Sequence, residues 1–182
     1  VVEDLLTAPA TGAPLFDVDE GAFSEATREM LASGDYGHTT LNGADRFDKP
    51  ILIYWLQAAS VSLLGLSEFA LRLPSALATA AWALALVMFA WPRFGLTTAL
   101  AAGTVLVSSV GVLAIGRAAT ADACLNLFIA LAAFDLWRCV ERADPQARNR
   151  VWLWMGLGLL TKGPVALLVP VAATLLWAAS SR

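Results

Sequence analysis

The chain has 182 residues, of which 58% are hydrophobic and only 15% charged, with a formal net charge of −3. A soluble domain carries about 25% charged residues, so this composition excludes an ordinary soluble globular domain, and nothing in it calls for a nucleic-acid partner. Cys124 and Cys139 fall in one apolar segment, give neither a disulfide framework nor metal-ligand spacing, and are expected to pack between helices.

Residues 1–18 contain Pro, Gly and Ala and are expected to be irregular. Val1 to Phe16 lacks the basic start and apolar core of a signal peptide. The sequence starts without Met and ends at Arg182 directly after an apolar run, as expected of a piece of a longer protein. From Asp19 to Ser33 the pattern turns helical. Phe23, Ala26, Met30 and Leu31 share one side, and Glu25 and Glu29 flank Arg28 on a wetted one. Gly34 is a natural helix stop, and residues 35–49 form a polar loop that turns at Asn42-Gly43. Residues 50–67 are uncharged, hold Gln57 and reach a break at Gly65. As a helix they would cover about 27 Å, marginal for a hydrocarbon core of about 30 Å.

No ionisable side chain lies between Arg72 and Arg93, or between Arg93 and Arg117. Each gap is long enough to cross a membrane, where a helix satisfies its own backbone. Spans are expected over about 72–92, 95–116, 122–140, 151–161 and 164–180. The joints fall at Pro92-Arg93-Phe94, at the polar link from Arg117 to Asp122, and in an arginine-rich connection over 141–150. The last apolar stretch is broken at Lys162-Gly163-Pro164, which predicts two short helices in a hairpin. Arg138, Arg142, Arg148 and Arg150 place the 138–150 connection in the cytoplasm by the positive-inside rule. Arg93 then lies on the same side, and Arg72 and the 117–122 link on the other. The side of the Asp19–Lys49 loop turns on residues 50–67: outside if they lie along the interface, inside if they span. Charge alone leans inside, because Arg28, Arg46 and Lys49 would join the other cations.

Ionisable residues gather at membrane edges: Asp19-Glu20, Asp48-Lys49, Asp122 with Arg117 nearby, and Lys162 within the broken stretch. Each has an ordinary reading beside the chemical one. Asp19 and Glu20 suit a helix dipole, Lys49 a snorkelling anchor, and Asp122 an N-cap. Lys162 is different, because an ionisable group at membrane depth is costly and functional by default. His38 has no evident partner, and Trp55, Trp91, Trp152, Trp154 and Trp177 fit an interfacial belt. Together these residues suit an enzyme that uses an anionic lipid-phosphate donor. Lys49 and Arg117 are cations at headgroup depth for the leaving phosphate, and Asp19 or Asp122 is a carboxylate to deprotonate or orient the acceptor. Glu20 and Asp48 are alternatively oxygen ligands for a divalent metal.

The run Asp19-Glu20, then Glu25, then Arg28-Glu29-Met30-Leu31-Ala32-Ser33-Gly34-Asp35-Tyr36 resembles the first extracytoplasmic loop of bacterial lipid A aminoarabinose transferases and the wider protein-mannosyltransferase-like family. Phe47-Asp48-Lys49-Pro50 with Tyr54-Trp55 looks like that loop's closing motif, and Ile115-Gly116, Asp122, Thr161-Lys162-Gly163 and Pro170 follow in order. The resemblance covers about residues 16–180. It implies an all-α fold: a polytopic transmembrane helical bundle of the GT-C type, with residues 19–67 as an extracytoplasmic active-site loop carrying two interfacial (juxtamembrane) helices and 68–182 as the transmembrane region of a single fragmentary domain. It implies Asp19 and Asp122 as catalytic acids, Lys49 as the ligand of the polyprenyl-carrier phosphate, and Asp48 as ligand of a divalent metal. Glu20, Arg117 and Lys162 are expected to complete the substrate site. The partners implied are a polyprenyl-phosphate-linked sugar donor, a lipid, protein or glycan acceptor, and membrane lipid. The setting implied is the bacterial inner membrane, multi-pass, with the site on the periplasmic side. Ala22 and Phe23 stand where the aminoarabinose enzymes carry Arg and Tyr, which leaves the sugar open. The competing expectation is a non-enzymatic transporter or lipid-binding component in which Asp122 and Lys162 form an intramembrane ion-pair gate.

Overall fold

Asp19 and Glu20 open the first helix, α1 (Val18–Ser33), where the helix dipole favours carboxylates, and Gly34 closes it with a φ of 71°. The computed structural model describes residues 18–180, so the irregular segment expected over residues 1–18 lies, but for Val18, outside the described residues. The apolar stripe of α1, Phe23, Ala26 and Met30, is buried against Ile53, Tyr54 and Ala58 of α2 (Leu52–Leu64). Arg28 forms its ion pair with Glu25 at 2.6 Å. Glu29 does not share it as expected: its carboxylate accepts from the Thr40 hydroxyl and, at 3.3 Å, from the Gly43 N–H. It thereby fastens a two-stranded ribbon, β1 (Thr40–Leu41) and β2 (Ala44–Asp45), to α1. The turn is Asn42-Gly43, with φ of 54° and 76°, the positive values at both central residues that a tight hairpin needs.

At 13 residues α2 is about 20 Å long, too short for a bilayer core, and it packs between α1 and α3 (Glu68–Phe94). Its buried Gln57 is a knot between distant segments. The amide accepts from Thr27 at 2.7 Å and donates to the carbonyls of Leu71 at 3.3 Å and Ala119 at 3.2 Å. Pro74 lies inside α3 and lacks the N–H that would bond the carbonyl of Ala70. The Ser60 hydroxyl donates to that carbonyl instead, at 2.6 Å.

Two helices, α3 and α6 (Asp122–Arg142), are long and apolar enough to cross a membrane. Between them α4 (Leu96–Ser108) and α5 (Val110–Arg117) meet at a 65° bend and make a third crossing only if taken as one broken span. The single span expected over 95–116 is therefore interrupted. At the bend the hydroxyls of Ser108 and Ser109 donate back to the carbonyls of Val105 and Leu106, competing with the helix's own bonds. The joint expected at Pro92-Arg93-Phe94 lies inside α3, because Pro92 falls in its last turn and the chain turns instead at Gly95, φ 81°.

The connection expected over 141–150 shrinks to Ala143-Asp144. Asp144 caps α7 (Pro145–Lys162) by accepting from the Gln146 N–H at 2.9 Å, and Pro145 occupies the first helical turn. The helix thus starts at Pro145, not at 151. The break at 162–164 is present: α7 ends at Lys162, Gly163 takes a φ of 72°, and α8 (Val165–Ser180) follows. A Cβ at Gly158 would lie 2.7 Å from that of Ala166, so only glycine lets α7 and α8 approach this closely. Within the antiparallel α6–α7 pair, buried Asp135 accepts from Arg138 at 2.6 Å, Arg150 at 2.9 Å and the Trp154 indole at 2.9 Å. Trp154 is thereby an interhelix partner, whereas Trp55, Trp91, Trp152 and Trp177 are exposed. Cys124 is buried in the core around Tyr54.

Candidate active site

Two neighbouring stretches and one distant in the chain line one cavity of about 430 Å³: Gly37 to Thr39, Arg46 to Ile51, and Lys162 to Pro164. The ribbon turn folds the first two together, and the α7–α8 break supplies the third. The lining is cationic. Arg46, Lys49 and Lys162 face it against a single lining carboxylate, Asp48. His38 also lines it, and its Nε2 finds a partner in Asp45 at 3.4 Å.

Lys49 Nζ donates to Asp48 Oδ2 at 2.9 Å, and Arg46 Nη2 donates to the same oxygen at 3.3 Å. The hydrogen bond from Lys49, aided by the charges of Lys49 and Arg46, holds the Asp48 carboxyl below its usual range. Arg46 Nε donates to the Tyr54 hydroxyl at 3.1 Å, and its guanidinium lies 5.7 Å from the Phe23 ring centroid. Burial pushes the Tyr54 phenol up, so it stays neutral. Phe23 and Tyr54, whose ring centroids are 5.5 Å apart, thus form the floor under Arg46.

Lys162 Nζ donates to Asp122 Oδ1 at 2.5 Å, joining the end of α7 to the first residue of α6. Asp122 is not an N-cap, since its carboxylate serves Lys162 and makes no side-chain cap bond. Among the expected site residues, Asp48, Lys49 and Lys162 meet at the cavity, and Asp122 joins through Lys162. Asp19 sits exposed in the first turn of α1, and Arg117 is exposed at the end of α5; neither lines the cavity. Glu20 is fully buried. Its oxygens accept from Arg72 Nε and Nη2, each at 3.1 Å, and from the Ala119 N–H at 2.6 Å. That places Glu20 between α1, α3 and the link into α6, next to Asp19 in sequence.

Residues expected to hold a divalent metal fit one poorly. Asp48 is held by two cations, Glu20 by Arg72 and a backbone N–H, and among the described residues no three His, Cys, Asp or Glu side chains form a metal-holding group. Two residues without a role in the sequence reading matter here. Arg46 carries no local signal, because its place depends on Phe23 and Tyr54 meeting in space. Asp135 does carry one, as a carboxylate inside an apolar run.

The family model described as dolichyl-phosphate-mannose-protein mannosyltransferase matches residues 48–182. The undecaprenyl phosphate-alpha-4-amino-4-deoxy-L-arabinose arabinosyl transferase of Aeromonas salmonicida is 34% identical over 168 residues, 90% of this chain and 31% of the relative. Its counterpart in Pectobacterium atrosepticum is 34% identical over 178 residues, 94% of this chain and 32% of the relative. The crystal structure of ArnT from Cupriavidus metallidurans bound to undecaprenyl phosphate superposes with a TM-score of 0.86 at 28% identity, covering 92% of this chain and 32% of that one. The apo structure of the same protein gives a TM-score of 0.85. The chain spans about a third of the length of the relatives it matches. The helical architecture is that of the GT-C membrane fold, and the chain belongs to the dolichyl-phosphate-mannose-protein mannosyltransferase family.

Proposed function

We propose that this chain forms the donor-phosphate side of a membrane glycosyltransferase, which moves a sugar from a polyprenyl-phosphate carrier to an acceptor at the extracytoplasmic face. The observation that carries the reading is the convergence of Lys49 and Lys162 on one cavity at the break between α7 and α8. A solved relative binds undecaprenyl phosphate, which supports that class of carrier. In an inverting transfer the acceptor oxygen attacks the anomeric carbon while the bond from that carbon to the phosphate oxygen breaks. The electron pair stays on the phosphate, whose charge rises, and fixed cations stabilise that change most strongly. Lys49 serves the leaving phosphate, with Lys162 as a second cation steadied by Asp122. Asp19 takes the acceptor's proton, or orients an acceptor that is already ionised. No step here runs through a metal.

The two ends of α6 support a side of the membrane for the site. Asp122 and the cavity lie at one end; at the other, Arg93 pairs with Glu141, which also lies 3.5 Å from Arg142. The helix separating them is about 30 Å long. By the positive-inside rule the arginine end is cytoplasmic and the cavity extracytoplasmic in the bacterial inner membrane, with α2, too short to span, along the interface. The test is Asp19→Asn in the full-length protein that contains this chain. Sugar transfer from a radiolabelled polyprenyl-phosphate donor is expected to vanish while membrane insertion is kept. Transfer at the wild-type rate would remove Asp19 from the mechanism.

A further inference from the structure

We propose that Arg46 is a further phosphate-binding residue and that Asp48 is the built-in counter-ion of the Arg46–Lys49 pair, displaced by the phosphate monoester that sugar transfer leaves on the lipid carrier. This rests on the reading of the cavity as a phosphate site.

The geometry begins with a convergence. Lys49 Nζ and Arg46 Nη2 aim at one oxygen, Asp48 Oδ2, at 2.9 and 3.3 Å. Two cations converging on a single acceptor oxygen is the arrangement a phosphate oxygen requires. Arg46 is fixed in that aim from behind by the Tyr54 hydroxyl and the Phe23 ring. Its Nη1 makes no hydrogen bond among the described residues, so the guanidinium fork has a donor to offer a second phosphate oxygen.

Exposure says which partner gives way. The Arg46 and Lys49 side chains are 11% and 22% exposed, whereas that of Asp48 is 58% exposed. The carboxylate can swing into water with little loss of solvation; the two cations have no comparable route. A phosphate presents more oxygens than a carboxylate, and as a monoester it carries about 1.5 to 2 negative charges at neutral pH. It therefore displaces Asp48 instead of adding to it.

Charge balance gives this exchange a function. With Asp48 in place the trio carries one net positive charge, which matches a carrier phosphodiester still holding its sugar. When the bond to the sugar breaks, the phosphate becomes a monoester and its charge rises. Release of Asp48 then leaves two cations facing it. Return of Asp48 competes with the spent carrier phosphate and helps it leave. The same contacts explain why Asp48 is poorly placed as a metal ligand.

The experiment measures binding of undecaprenyl phosphate to the full-length protein in nanodiscs, with a neutral polyprenol as control. Arg46→Gln is expected to raise Kd about tenfold, the scale of one charge-assisted hydrogen bond, and Arg46→Lys to recover part of that. Asp48→Asn is expected to lower Kd about tenfold and to lower kcat, because the spent carrier leaves more slowly. The tightening is the diagnostic arm, since a folding defect cannot produce it. Weaker or unchanged binding in Asp48→Asn overturns the counter-ion role, as does an Asp48→Asn effect that EDTA abolishes and an added divalent metal restores. Unchanged binding in Arg46→Gln overturns the role of Arg46. If the wild type does not distinguish undecaprenyl phosphate from the polyprenol, or Lys49→Gln binds as wild type does, the reading of the cavity itself fails.

Discussion

Replacing Glu20 by alanine separates two neighbouring carboxylates that sequence places together. Asp19 is exposed, whereas Glu20 has no exposed surface and joins Arg72 of α3 and the Ala119 N–H. Removing one partner of a buried ion pair costs about 3–5 kcal/mol where the other charge is left buried without compensation. The Arg72 side chain is 15% exposed and keeps Glu68 at 4.0 Å, which puts the loss at the lower end, about 3 kcal/mol. The Ala119 N–H would lose its acceptor as well, but the two losses share one site and are not additive. At about 1.4 kcal/mol per factor of ten, the folded-to-unfolded ratio falls by roughly two powers of ten. Such a loss is a large fraction of the stability of an ordinary domain.

The assay is reversible unfolding of the full-length protein in mixed micelles of rising SDS, followed by tryptophan fluorescence, with sugar transfer measured at low SDS. Glu20→Ala is expected to lose stability and activity together, whereas Asp19→Asn is expected to lose activity while the protein still inserts in the membrane. Glu20→Gln, which keeps an acceptor for Ala119 but not the charge, is expected to fall between Glu20→Ala and wild type. If Glu20 instead contacts substrate, its alanine variant unfolds with the wild type and shows only a raised KM. A stability change below about 1 kcal/mol would refute the buried-pair argument.

Two further outcomes follow from the cavity. Exchanging the charges by Asp122→Lys with Lys162→Asp is expected to leave transfer abolished, because a carboxylate would then face the carrier phosphate; recovered activity would favour the ion-pair gate of a transporter, read by transfer assay in proteoliposomes. For pH, the Asp48 carboxyl is held below its usual range by Lys49, so its contribution is present above the usual carboxylate range and is lost only as pH falls through the lowered value. Between about pH 5 and 8 the binding of undecaprenyl phosphate is therefore expected to follow the second ionisation of the phosphate near 6, with the same profile shape in Asp48→Asn. A new inflection removed by that substitution would contradict this.

Local chemistry made much of the framework readable. Gly34, Gly65, Asn42-Gly43 and Lys162-Gly163-Pro164 each impose a backbone conformation that ends or turns an element, and the structure breaks at each of them. Asp144-Pro145 carried an equally local start signal for α7, outweighed in the sequence by the surrounding arginines that mark a loop. The bend at Ser109 carried only a weak mark, the Ser108-Ser109 pair, whose hydroxyls compete with the helix's own bonds. Partnerships were the least legible part. Glu20 and Asp48 are both acids beside a functional neighbour, and only packing reveals that one is buried against Arg72 while the other faces a cavity.

That difference shows how the site is held. The loop from Asp19 to Pro50 has little apolar core of its own beyond the stripe of α1, so its geometry must come from what lies beneath it. Gln57 and Glu20 provide this by gripping the backbone at Ala119, one through its carbonyl and the other through its N–H. Ala119 is three residues before Asp122, so the same peptide units that anchor α1 and α2 also fix the start of α6. Asp122 in turn holds Lys162 at the cavity. The cations that face the cavity are thereby tied to the acids of the loop through a short run of buried amides, and a shift of α1 relative to α6 would separate Lys49 from Lys162. The buried polar network, costly unless every partner is satisfied, is what sets the distance between the two halves of the site.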